Sequence, residues 1–173
     1  GRFLWSYDKI QNGTANISTP VVRGDLVFGS TAYGAGSALL KLLPHDGGVK
    51  AEEVYFLDAD TFQNHHGGFV RVGDYIYGGH GHGSGKPTCL EMATGKVVWQ
   101  VKQPGGGSAA VVCADGRLYF RYEDNTVVLV DATPGAYRQK GKLKVPDRPG
   151  MGGPGWAHPV VLGGRLYLRH NDR

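Results

Sequence analysis

The sequence predicts an all-β fold, a partial β-propeller of four-stranded antiparallel blades, and three observations carry that prediction. One hairpin pattern occurs four times at nearly constant spacing, glycine and aromatic residues are abundant, and no stretch shows helical periodicity. The 29 glycines have no collagen-like period and stand beside 9 Tyr, 6 Phe and 3 Trp, a mixture suited to short strands joined by tight turns.

Each recurring segment reads as an apolar strand, a Gly/Asp turn and a second strand rich in aromatics: residues 20–28, 69–77, 111–120 and 159–168. The turns are Gly24-Asp25, Gly73-Asp74, Asp115-Gly116 and Gly163-Gly164. Two-residue hairpin loops need positive φ at one or both central positions, which Gly, Asp and Asn tolerate. Their starts lie 49, 42 and 48 residues apart, the period of a four-stranded blade.

A polar or Gly-rich loop follows each of the first three hairpins and leads to a third strand, at 38–42, 88–92 and 127–131. A fourth is expected at 53–56, 97–100 and 142–145. Lettering the strands A to D from the innermost outward, residues 1–7 read as the D strand closing a preceding blade. Three blades follow at 16–57, 65–101 and 107–146, and residues 155–173 begin a further one. This inventory is about 3.5 blades, fewer than the roughly four to eight of a closed ring, so the chain is expected to be part of a larger propeller.

Residues Glu91-Met92-Ala93-Thr94-Gly95-Lys96-Val97-Val98-Trp99 resemble the Asp-Ala-x-Thr-Gly-x-x-x-Trp signature of PQQ-type, quinoprotein-like repeats. Gly1 to Trp5 repeat its closing half, and Asp131 to Gly135 keep its opening half without the Trp. The chain is therefore similar over nearly its whole length to the PQQ-like propellers, which include outer-membrane-assembly lipoproteins and many bacterial secreted proteins. Thr94-Gly95 is expected to close the C–D turn and Trp99 to pack largely buried between blades, with Trp5 less protected.

A complete repeat architecture without catalytic signatures points to a non-catalytic module for ligand or protein binding or scaffolding, and the resemblance implies a periplasmic, cell-surface or secreted setting. Its alternative implication is a fragment of a PQQ- and calcium-dependent dehydrogenase. Those enzymes generally hold the quinone against adjacent cysteines and a carboxylate-bound calcium, whereas Cys89 and Cys113 are 24 residues apart. Neither feature can be located here, so PQQ is not supported, and the remaining cofactor question is a metal.

Composition narrows the field further. A formal net charge of +4 falls short of a nucleic-acid footprint, and no apolar run approaches the roughly 20 residues of a membrane helix. The Gly-rich run 78–87 misses a phosphate loop, since His80 and Pro87 stand where Gly and Ser or Thr are needed. Arg138, Lys140, Lys142 and Lys144 alternate along an outermost strand and read as a guarded, solvated edge.

In a propeller the D–A connections and B–C loops open on one face. That order gathers His65, His66 and His158 with His80, His82 and His170, leaving His45 opposite. His158 aligns with Thr19 at the mouth of the innermost strand, two residues after Trp156. Convergent imidazoles could ligate a transition metal, with His65 or His66 beside His80 or His82 as the expected pairing. The plainer reading is rings that fix loops by hydrogen bonds to backbone carbonyls.

Overall fold

The computed structural model describes residues 1–146 and 153–169, and these form strands, turns and connecting segments without any helix. The first sheet contains β1 (Val21–Arg23), β2 (Leu26–Thr31), β3 (Gly36–His45) and β4 (Gly48–Leu57). The second contains β5 (Phe69–Val72), β6 (Tyr75–His80), β7 (Lys86–Glu91) and β8 (Val97–Gln100). The third contains β9 (Ala109–Ala114), β10 (Arg117–Tyr122), β11 (Thr126–Asp131) and β12 (Gln139–Lys144). A final hairpin joins β13 (Val160–Leu162) to β14 (Arg165–Tyr167). Each complete sheet runs in simple sequence order and every pairing is antiparallel, the organisation of a partial propeller.

All four Gly/Asp dipeptides sit in the expected A–B turns. Gly24 and Gly73 have φ of 59°, with positive φ at the first central position only, the pattern of a type II′ turn. Asp115 and Gly116 (48° and 69°) and Gly163 and Gly164 (57° and 71°) are positive at both, the type I′ pattern. A further turn of that kind, Asp46-Gly47, extends β3 and β4 well beyond the span read from their apolar residues.

The core lies between the sheets. Phe28, Leu39, Phe62, Phe69, Ile76, Leu90 and Met92 fill the layer between the first and second sheets. Tyr77, Cys89, Val111, Leu118, Phe120, Val128 and Val130 belong to the layer between the second and third. The period of two along a strand explains the division, since Ile76 and Leu90 face one layer while their neighbours Tyr77 and Cys89 face the other. Innermost strands of successive sheets adjoin in order, β1 to β5, β5 to β9 and β9 to β13.

One expectation is corrected. Residues 1–7, expected as a D strand, form no strand. The segment instead lies on the first sheet. Arg2 donates to the Gly47 carbonyl, and Trp5 lines a hollow with Val27, Ala38 and Leu40.

Trp99, like Trp5, is partly buried, and it packs against the core layer between the second and third sheets. Its indole N–H donates to the Thr133 carbonyl at 3.0 Å, and its ring lies 5.8 Å from Tyr77 and 5.7 Å from Tyr137. Tyr55 occupies the equivalent place on β4, opposite Leu39 as Trp99 is opposite Cys89, and its hydroxyl donates to the Met92 carbonyl at 2.8 Å. In both blades an outer-strand aromatic thus reaches the C–D turn of the next sheet. Gly95 in the second sheet's turn has φ of 73°, and a Cβ there would lie 2.8 Å from the Tyr55 ring. Thr94 closes that turn through Glu91 Oε2 at 2.6 Å.

Candidate functional site

The connection from β4 to β5 carries His65-His66-Gly67-Gly68 over the top of the second and third sheets. Its close approach to β9 requires glycine: a Cβ on Gly67 would lie 1.6 Å from the Ala109 carbonyl oxygen. The same contact is locked by a hydrogen bond from the Val111 N–H to the Gly67 carbonyl, 3.1 Å. Both imidazoles are thereby delivered to the loops of the neighbouring blade.

His65 is held from two sides. Its Nε2 lies 3.0 Å from the Tyr33 hydroxyl in the first sheet's B–C loop, and its Nδ1 lies 2.9 Å from Ser108 Oγ just before β9. Burial, then the neighbouring His66 and His82 rings, hold its pKa below the ordinary imidazole value, against a smaller opposing pull from Glu123.

His66 Nε2 lies 3.1 Å from Glu123 Oε1, and the two side chains are 9% and 24% exposed. Glu123 Oε1 also accepts the Ser108 backbone N–H at 3.0 Å. Burial pushes the Glu123 carboxyl up, but hydrogen bonds from His66 and Ser108 together hold it below the usual range. His66 Nδ1 is buried without a hydrogen-bond partner, an arrangement costing about 1–3 kcal/mol. Donor atoms of His65, His66 and Glu123 all lie within 4.8 Å of one another, the geometry of a candidate metal-ligand set.

The other histidines divide. His80 is 6% exposed, accepts the Gln63 N–H on Nδ1 at 3.3 Å and lies 6.0 Å from the Phe62 ring, so it anchors a loop away from the trio. His82 is exposed, with its ring 4.4 Å from Tyr33 and 4.5 Å from His65. His158 Nε2 lies 3.1 Å from the His66 carbonyl oxygen. With Thr19, Ser18, His66 and Val111 it lines a hollow of about 280 Å³ between innermost strands, where its alignment with Thr19 puts it. Trp156, 55% exposed, stacks obliquely 5.2 Å from His66. His170 lies outside the described residues.

Sequence reasoning missed four residues here: Tyr33, Ser108, Arg121 and Glu123. Glu123 follows Tyr122 as Gly81 follows His80, at the start of a B–C loop, so repeat alignment carried its signal. Arg121 is 1% exposed and donates to the carbonyls of Ala157 and Arg169 and to Asn125 Oδ1, fixing the connection that carries Trp156 and His158. Nothing in the sequence distinguished it from a surface arginine.

The basic outer strand is partly paired. Lys140 meets Asp131 Oδ2 at 3.5 Å and Lys142 donates to the Pro104 carbonyl. A quinone held against vicinal cysteines does not fit these residues, because Cys89 is buried in β7, its thiol pushed up to about 11 by burial, while Cys113 is half-buried in β9.

The family model described as outer membrane protein assembly factor BamB matches residues 52–138 and 88–173. The crystal structure of BamB from Moraxella catarrhalis superposes with a TM-score of 0.60 at 15% identity, covering 91% of this chain and 42% of that one. At that identity the likeness shows the fold alone, and the chain spans less than half the length of that protein. A comparison with curated proteins found no match.

Proposed function

The chain belongs to the PQQ-like repeat family described as outer membrane protein assembly factor BamB, and on that premise we propose that it is a non-catalytic recognition module binding a protein partner through its loop-rich face. One observation carries the reading: an unbroken series of ring contacts crosses that face from the first blade to the connection preceding the last hairpin. Tyr33 meets His82 and His65, His65 meets His66, and His66 meets Trp156, with centroid separations of 4.4 to 5.3 Å.

Exposed Tyr33 and Trp156 at its two ends supply large, rigid, amphipathic surface of the kind enriched in protein interfaces. Hydrogen bonds on His65 and the Arg121 clamp on the 157 carbonyl hold that surface in place before binding, which reduces the ordering cost of association. Membership in a family described by an outer-membrane assembly function supports the reading that such a partner is met in the periplasm or at the outer membrane of a bacterium.

A photo-crosslinking amino acid at Tyr33 or Trp156, in the full protein within its cell envelope, should give discrete protein adducts. The same group at Val54 or Leu143, exposed on outer strands, should not. Adducts arising only from the outer-strand positions would place the interface elsewhere and refute the reading.

A further inference from the structure

We propose that His65, His66 and Glu123 form a binding site for a zinc-class divalent transition ion that bridges the second and third blades. This goes beyond the recognition reading and does not depend on it. Two imidazoles and one carboxylate make a borderline N/O donor set suited to zinc, and unsuited to magnesium or calcium, which take mostly oxygen ligands. Three protein ligands leave a fourth tetrahedral position for water or a ligand group.

The donor atoms already lie within 4.8 Å of one another, and the His66 Nε2 to Glu123 Oε1 separation is 3.1 Å. A tetrahedral ion with bonds of about 2.0 to 2.1 Å holds its ligand atoms about 3.3 Å apart, so side-chain rotations closing up to about 1.5 Å complete the set. His66 anchors the set: its side chain is 9% exposed, its Nε2 already lies on Glu123 Oε1, and its other ring nitrogen, Nδ1, is buried with no hydrogen-bond partner.

The surroundings are those of a supported ligand set. Ser108 touches both outer members, its Oγ at His65 Nδ1 and its N–H on Glu123 Oε1, so the carboxylate is oriented by a backbone donor. Gly67 and its bond to Val111 fix the backbone between the histidine pair and β9. His80 is not among the residues whose donor atoms converge, and its Nδ1 accepts the Gln63 N–H instead.

The test is calorimetric titration of the purified chain with zinc at neutral pH, together with imidazole ¹⁵N spectra of the unaltered chain. One zinc per chain is expected, bound in the micromolar range and not displaced by excess magnesium, with the ring nitrogens of His65 and His66 shifting on addition. Glu123→Gln and His66→Ala should each weaken binding roughly tenfold or more, while His45→Gln on the opposite face leaves it within about twofold. The spectra keep the proposal falsifiable if a variant fails to fold. Binding no tighter than millimolar, binding unaffected by Glu123→Gln, or shifts confined to His45, His80 or His158 would overturn it.

Discussion

At the scale of single residues, burial and charge separate rings that look alike in the sequence. His80 and His65 both resist protonation in the fold, chiefly because burial disfavours the imidazolium, with Lys86 adding to the effect on His80. In the unfolded chain these rings take up a proton near the ordinary value of about 6.5, so below it the unfolded state binds more protons. Stability should therefore fall as pH drops from about 7 towards 5, and the dependence should flatten in His80→Gln. Urea-unfolding midpoints at those two pH values measure this, and a midpoint that rises on acidification would contradict it. Glu123 and Asp124, whose pKa values are lowered in the fold, lose their contribution separately, below the usual carboxylate value of 4.5 or 3.8.

The same scale shows what was legible. The histidine-rich face was readable because propeller order assigns every loop to one end of the sheets. The identity of the trio was not, because Glu123 is 57 residues from His66 and only inter-blade packing brings them together.

Among elements, the device joining blades is an aromatic on the outermost strand that docks on the next blade's C–D turn. Trp99 does so through Thr133 and Tyr55 through Met92. Trp99→Ala should cost about 2–3 kcal/mol, less than the roughly 3–5 of a fully buried aromatic, because the ring is half-buried and loses one hydrogen bond. Chemical denaturation checks the value, and a loss under about 0.5 kcal/mol, the range of ordinary surface substitutions, would show that the docking is incidental. The Thr-Gly-x-x-x-Trp signature exposed this device in one blade. In the first blade tyrosine replaces tryptophan and no signature remains, so equivalence emerges from the matching register of Leu39–Tyr55 and Cys89–Trp99.

For the whole molecule, the second sheet is covered on both faces, whereas the last hairpin pairs two strands among the described residues. Amide hydrogen exchange should therefore be slowest in β6, β7, β10 and β11 and fastest in β13 and β14, whose residues are mostly exposed. Equal protection of β14 and β10 would show that the hairpin is stabilised by contacts other than its own sheet. The sequence by itself determined the repeat, the hairpin turns and the strand order, since each depends on local φ preferences and alternating hydrophobicity. Only the tertiary structure decided that residues 1–7 lie on the first sheet without forming a strand, that Arg121 is buried, and that His65, His66 and Glu123 meet. Those outcomes depend on which blade supplies a hydrogen-bond partner across tens of residues, and no local pattern encodes that distance.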